Sequence, residues 1–276
     1  MGIKNKIAVI TGAGGVLCSS FAKCLAKEGA AVMLLDINKE SAELVAKEII
    51  AEGGIAEAFG CNVLDKNSIK SVHNEILEKY GKVNILINGA GGNNPRATLS
   101  KEYYEEGDEN IEDIKTFFNL EKEDFSFVFD LNLMGTLLPS QEFSRDMLGC
   151  DGVIINVSSM NAFKPLTKIP AYSSAKSAVS NFTEWLSVYF AESKIRVNAI
   201  APGFFVTKQN KDLLFDKEGN PTPRTEKILR STPMGRFGKP EELNGTLLFL
   251  ADNEKSSFVT GVIIPVDGGF NAYSGV

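Results

Sequence analysis

A doubly wound α/β sheet is the fold class this sequence predicts, and three observations predict it. Short apolar runs recur along the chain, at 7–10, 31–35, 55–61, 84–87, 153–157 and 196–200. Longer stretches with apolar residues at helical spacing lie between them. Most runs end in a glycine, an amide or a carboxylate, as chains do on leaving the carboxyl edge of a parallel sheet.

The run 7–10 is apolar throughout, which suits a strand covered on both faces. Thr11-Gly12-Ala13-Gly14-Gly15 follows at once, and a helical pattern then runs over 16–29. Strand, glycine turn and helix together aim backbone N–H groups and a helix N-terminus at a phosphate, although glycine also suits a plain strand-to-helix turn. The run 31–35 ends in Asp36, about 20 residues past the glycines, where a carboxylate accepts hydrogen bonds from the adenosine ribose and repels a 2′-phosphate. No cation stands at 13–15 or 37–38 to offset it, so NAD is expected rather than NADP.

A helix over 39–52 closes at Gly53-Gly54, strand 55–61 leads to Asn62-Val63, and a helix over 66–80 ends at Gly81. Strand 84–87 runs into Asn88-Gly89-Ala90-Gly91-Gly92. Residues 93–123 then break the rhythm: acidic, with Tyr103-Tyr104 and Phe117-Phe118, and with little periodicity. A stretch of this kind inside a compact fold is usually functional or mobile. A helix over 125–150 carries Asn132 in apolar surroundings, which reads equally as a satisfied amide bending the helix and as a functional one. Strand 153–157, a helix over 171–190, strand 196–200 and the turn Ala201-Pro202-Gly203 follow. A second insertion covers 204–232, and a helix over 241–252, a strand within 257–265 and the turn Asp267-Gly268-Gly269 precede a short tail. The expected whole is one Rossmann-like domain over 1–276 with helices on both faces. Its insertions at about 93–123 and 204–232 are expected on the substrate side.

The 276 residues are 43% hydrophobic and 23% charged, enough for one large α/β core. A net charge of -6 gives no reason to expect nucleic acid or an anionic membrane as partner. No apolar run reaches the ~18 residues of a membrane helix. Met1 leads almost directly into the first strand, so no signal peptide is expected and the expected compartment is the cytoplasm. Cys18, Cys24, Cys61 and Cys150 show no CxxC pair, consistent with reduced thiols. His73 is the only histidine, on an amphipathic helix and expected at its surface. A histidine metal site or a Ser-His-Asp triad has nothing to build on, and no metal is expected.

The chemistry concentrates in 158–176. Tyr172 and Lys176 are four apart on a helix and share a face. An ammonium beside a phenol favours the phenolate, lowering a pKa near ~10 by roughly 1–3 units, toward the range of proton exchange with a hydroxyl or carbonyl. Ser159, just past strand 153–157, can offer a second hydroxyl. By itself the spacing would also suit two surface residues; the rest of the chain decides.

Thr11-Gly12, Asp36, Asn62-Val63, Asn88-Gly89-Ala90-Gly91, Asn132, Ser159, Tyr172, Lys176, Pro202-Gly203 to Thr207 and Asp267-Gly268-Gly269 stand in the order and spacing of the short-chain dehydrogenases/reductases. The chain resembles that family over essentially its whole length. The resemblance implies that Tyr172 is the general acid/base, Lys176 lowers its pKa and holds the nicotinamide ribose, Ser159 positions the reacting oxygen, and Asn132 holds a water linking Lys176 to solvent. It also implies NAD contacts from Gly12, Gly14, Gly15, Val16, Leu17, Asp36, Asn62, Val63, Asn88, Ala90, Gly91, Tyr172, Lys176, Pro202, Gly203, Phe205 and Thr207. The family's turn reads TGxxxGxG, whereas Val16 and Cys18 replace its last two glycines here. Gly15 is expected to supply the close backbone approach, and Cys18 is small enough for helix–strand packing.

Residues 154–163, 201–205, 232–237 and 272–276 further resemble the short-chain type of D-mannonate oxidoreductase (fructuronate reductase). That resemblance implies a sugar-acid substrate and a homotetramer. Such a substrate needs a cation for its carboxylate and donors for its hydroxyls. Arg96, Lys164, Lys168, Lys208 and Arg224 lie in segments expected near the cleft, with Arg96, Lys164 and Arg224 favoured, and Asn93, Asn94 and Asn161 could serve hydroxyls. The alternatives are another sugar-acid or polyol dehydrogenase of gluconate 5-dehydrogenase type, a 3-ketoacyl reductase, and a catalytically silent NAD-binding regulator.

Overall fold

The computed structural model describes residues 2–206 and 214–275. Among these, seven parallel strands form one sheet in the order β3-β2-β1-β4-β5-β6-β7. They are β1 Ile7–Thr11, β2 Ala31–Asp36, β3 Ile55–Gly60, β4 Ile85–Asn88, β5 Gly152–Val157, β6 Ile195–Pro202 and β7 Ile263–Val266. The run 7–10 of β1 is apolar throughout because both its faces are covered. In β1, Ala8 and Ile10 join a buried cluster with Phe21 and Leu25, while Val9 joins the opposite one with Ile69, Ile76 and Phe143. Strand order reverses between β1 and β4, which pair directly with Thr11 beside Asn88. A crevice opens at the carboxyl ends of such a pair.

The covering helices are α1 Val16–Lys27, α2 Lys39–Ala51, α3 Lys66–Lys79, α4 Lys122–Met147 and α5 Pro170–Tyr189. Asn38 and Asp65 cap α2 and α3, their side chains accepting from Ser41 N and Asn67 N. The second insertion contains a helix, α6 Pro223–Arg230, started by Thr222 and Pro223. The helix expected over 241–252 is a 3₁₀ turn, Pro240–Leu243, leading into α7 Asn244–Ala251. Residues 93–121 hold only single 3₁₀ turns, at Pro95–Ala97, Asp108–Asn110 and Phe117–Asn119. There Lys101 binds Glu105 and the buried Asp108, and Tyr104, Phe117 and Phe118 pack edge to face while exposed.

His73 departs from its expected surface position. It is buried, with Nδ1 2.9 Å from Glu142 Oε1, Nε2 2.9 Å from Asp146 Oδ2, and its ring against Phe143. The pattern of α3 alone does not reveal that α4 supplies an acceptor for each ring nitrogen, which is what lets an imidazole be buried. No helix among the described residues is long and apolar enough to cross a membrane.

Candidate active site

The first glycine turn and the turn after β4 are built against each other. Gly12 has φ +66°, and a Cβ there would lie 2.9 Å from the Ala90 backbone. Thr11 Oγ1 accepts from Gly89 N at 3.0 Å and Ala90 N at 3.1 Å, closing the floor of the crevice. Gly14 serves packing: its N–H donates to Asp36 Oδ2 at 2.9 Å, and a Cβ would meet Ser41 Cβ at 2.6 Å. Gly15 is the N-cap of α1, which begins Val16-Leu17 with no side-chain cap and no acidic residue in its first turn. An anion completes such a terminus, whose first N–H groups lack intrahelical partners.

Cys18 occupies the place of the family's last glycine and is buried. A Cβ on Gly89 would approach its Sγ to 2.1 Å, so the thiol fills the space between α1 and the β4 turn. Burial pushes its pKa up to about 12, so it is a packing group at neutral pH.

Beside the glycine turn, Asp36 Oδ1 accepts from Asn38 N at 2.9 Å, which fixes the carboxylate at the end of β2. Asn62 Oδ1 accepts from Leu64 N at 3.0 Å, leaving the amide NH₂ as the outward group. Val63 packs against Gly135 of α4, and Gly91 is exposed beside the half-buried Ala90. Asn88 corrects an expectation. Its side chain does not face the adenosine side; it donates to Ser140 Oγ at 2.9 Å and Asn156 Oδ1 at 2.8 Å, and Asn156 donates to Thr183 Oγ1. Asn88 and Asn156 are directly paired across β4 and β5, so the amides tie the sheet to α4 and α5.

At the end of β5 the reactive side chains meet. Ser159 Oγ accepts from Asn161 N at 3.2 Å, which leaves its proton free to be donated, and it lies near enough to Tyr172 to pull the phenol's pKa down. Lys176 Nζ donates to Val157 O at 2.7 Å and sits 5.7 Å from the centre of the Tyr172 ring. Burial pushes the Tyr172 phenol above its ordinary value, with Ser159 pulling the other way, and burial pushes Lys176 down to about 8. The expected lowering of Tyr172 by Lys176 is therefore corrected. The ammonium is engaged by the Val157 carbonyl, and desolvation of the phenol outweighs the pull on it.

Asn132, fully buried in α4, donates to Val128 O at 2.7 Å and Gly92 O at 2.9 Å and accepts from Gly92 N at 3.1 Å. A Cβ on Gly91 would lie 2.6 Å from Asn132 Oδ1 and 3.2 Å from Lys176 Nζ. Asn132, Gly91 and Lys176 are thus in contact.

The remaining candidates scatter. Pro202 ends β6, Gly203 lies against Asp267, and Phe205 is buried against Gly238. Asn93 donates to Thr98 Oγ1 at 2.9 Å, and the buried Asn161 leaves Oδ1 without a partner. Arg96 does not stand free for a carboxylate: Nε is 3.2 Å from Asp124 Oδ1, and the guanidinium lies over Phe127. Lys164 donates to Tyr273 O at 2.9 Å, and Arg224 is exposed on α6. Thr207 and Lys208 lie outside the described residues. Thr11 and Gly89 stood in the sequence motifs without an assigned contact, and the Val157 carbonyl was missed by sequence reasoning. Gly89 carried a signal in the glycine-rich turn, whereas a main-chain carbonyl carries none. A separate hollow beyond β6 and β7, lined by Phe204, Thr232, Met234 and Asp267 among others, contains none of Ser159, Tyr172 or Lys176.

A switch-point crevice with an uncapped helix N-terminus at one end and a Ser–Tyr–Lys set at the other defines a dinucleotide-dependent oxidoreductase. The family model for short chain dehydrogenases matches residues 6–218, and the chain belongs to that family. It is 60% identical over 275 residues to an uncharacterised oxidoreductase of Haemophilus influenzae, covering 99% of this chain and 96% of that one. It is 52% identical, over 99% and 98% of the two chains, to the uncharacterised oxidoreductase UxuB of Bacillus subtilis. A crystal structure of a Haemophilus protein, provisionally assigned as a D-mannonate oxidoreductase and holding NAD, superposes with a TM-score of 0.95 at 59% identity, covering 99% of this chain and 97% of that one. The residues here fit the dinucleotide the family implies. The α1 terminus lacks a cap, Asp36 is held by two backbone N–H groups with lone pairs to spare, and Lys176 is a buried cation beside the phenol.

Proposed function

We propose that the protein is an NAD(H)-dependent oxidoreductase that interconverts D-fructuronate and D-mannonate. The observation that carries the catalytic half is the junction of Ser159, Tyr172 and Lys176 at the carboxyl end of β5, beside the crevice. The substrate half is supported by the likeness to the NAD-holding Haemophilus protein and by the sequence resemblance. NAD over NADP is supported by Asp36.

When bound, the reduced nicotinamide supplies the hydride that adds to the C5 ketone carbon. Tyr172 gives its phenolic proton to the ketone oxygen, producing the alcohol of mannonate. Ser159, oriented by Asn161 N, donates a hydrogen bond to that oxygen as charge builds on it. Lys176 supplies positive charge at the tyrosinate left behind and a donor to the nicotinamide ribose. In the oxidative direction the tyrosinate takes the alcohol proton. Asn132 holds the Gly91-Gly92 turn against Lys176; a water bound there would link the ammonium to solvent. The NH₂ of Asn62 suits an adenine ring nitrogen. Pro202, Gly203, Phe205 and Thr207 are assigned to the nicotinamide end. Lys164 and Arg224 remain for the substrate carboxylate, and Asn93 and Asn161 for its hydroxyls. The insertions form the substrate side.

A homotetramer in the cytoplasm completes the reading. The exposed apolar face of α5 formed by Trp185, Val188 and Tyr189 supports self-association; light scattering tests it. The deciding experiment measures NADH oxidation with fructuronate beside tagaturonate and 5-ketogluconate. Fructuronate is expected to give the highest kcat/KM, and a clear preference for either of the others overturns the assignment.

A further inference from the structure

Glu102 of the first insertion pairs with a lysine of the second and lies within electrostatic reach of two further cations. Lys227 of α6 reaches across to Glu102 of the first insertion, Nζ to Oε2 at 2.9 Å. Lys168 and Arg224 are close enough to Glu102 to help hold its carboxyl below the usual range, after the larger effect of Lys227. Among the described residues, neither Lys168 nor Arg224 has a carboxylate within ion-pair distance, and Lys227 is the cation in contact with Glu102. Arg224 and Lys227 are three apart on α6 and share a face.

The location bears on the reaction. Lys168 is four residues before Tyr172 and directly precedes the N-cap of α5, and its carbonyl accepts from Leu99 N at 2.8 Å. Ala97 packs in one cluster with Ala171 and the Tyr172 ring. The insertion is thereby anchored to the turn that delivers the phenol, and its residue 102 carries the carboxylate that pairs with Lys227.

Lys168 also has φ +70°. Glycine or asparagine would take that backbone conformation more readily, so a lysine there points to a use for its side chain.

We propose that Lys168, Arg224 and Lys227 are the docking site for the carboxylate of a hydroxylated keto acid, which displaces Glu102 from Lys227. The proposal rests on the keto-acid reading above and deepens it. In fructuronate the carboxylate is at the far end of the carbon chain from the reacting ketone, which suits a basic cluster set apart from the phenol. Glu102 then acts as a stand-in anion that keeps the cations gathered when no substrate is bound and disfavours neutral ketones.

The test compares wild type, the double variant Lys168→Asn/Arg224→Gln and the single variant Glu102→Gln. Each is assayed with NADH on fructuronate, tagaturonate, 5-ketogluconate and the neutral ketoses fructose and tagatose. In the double variant the ratio of kcat/KM for the favoured keto acid to that for its neutral counterpart is expected to fall roughly tenfold or more, mainly through KM. Glu102→Gln is expected to lower KM for the keto acid, because the competing anion is gone. Asparagine tolerates the backbone at 168, so thermal unfolding checks that the double variant keeps its fold. An unchanged ratio in the double variant overturns the docking site. The same loss seen with tagaturonate or 5-ketogluconate as favoured substrate supports the docking site while overturning fructuronate. A wild type that reduces the neutral ketoses and none of the acids overturns both.

Discussion

The ammonium of Lys176 lies 2.7 Å from the carbonyl oxygen of Val157 and donates to it, tying the reactive face of α5 to the end of β5. The cation is held by the sheet, 5.7 Å from the centre of the Tyr172 ring, and the group that draws the phenol's pKa down is Ser159. Any effect of Lys176 on the tyrosine would therefore pass through the ribose it would hold, while Ser159 is the side chain that acts on the phenol.

Tyr172→Phe removes the proton donor and keeps the ring that packs with Ala97 and Ala171. Turnover should fall by roughly 10²–10⁴-fold, while NADH affinity, read by fluorescence titration, stays nearly intact. Turnover near that of wild type would refute the role of the phenol.

Lys176 leaves a signature in stability against pH. Its folded-state pKa is depressed to about 8 by burial, so between pH 8 and 10.5 the unfolded chain holds the extra proton. Stability rises with pH wherever the unfolded state binds more protons. Below pH 8 both states are charged and the full cost of burying the ammonium is present, roughly 3 kcal/mol by linkage. Urea unfolding of the cofactor-free protein should show wild type gaining on Lys176→Met by up to that amount from pH 8 to 10.5. Parallel profiles for the two would contradict the depressed pKa.

Asp36 should govern the choice of dinucleotide. Asp36→Ser removes the charge that repels a 2′-phosphate and the acceptor for the ribose hydroxyls. KM for NADH is expected to rise about tenfold while NADPH becomes a usable reductant. A variant that still refuses NADPH would place the discrimination elsewhere.

Cys18→Gly restores the glycine common in this family, yet here it should be harmful to stability. It empties a site packed against Gly89 and puts glycine inside α1, at a combined cost of about 1–3 kcal/mol. The α1 terminus, proposed to meet the pyrophosphate, is unaltered, so NADH affinity should stay within a few-fold. A large loss of affinity with stability unchanged would show that the thiol shapes the phosphate site directly.

The strands were legible because each is a short apolar run with punctuation at its carboxyl end, and β1 needed apolar side chains on both faces to feed both cores. The pairing of Tyr172 with Lys176 on one helical face followed from their spacing. His73 was misplaced because its own helix gives no sign of Glu142 and Asp146, which arrive from α4. Asn88 stands at the right point in the chain for a cofactor contact, but its orientation depends on a strand partner, Asn156, that is 68 residues away.

By itself the sequence determined the α/β alternation, the family and the candidate set Ser159, Tyr172 and Lys176, because periodicity, turn chemistry and i,i+4 spacing act over a few residues. Tertiary structure alone decided that Val157 holds Lys176, that burial raises the tyrosine, and that Lys227 of one insertion pairs with Glu102 of the other. Desolvation and charge convergence arise from how distant segments pack, and no local pattern records which distant group will come to lie alongside.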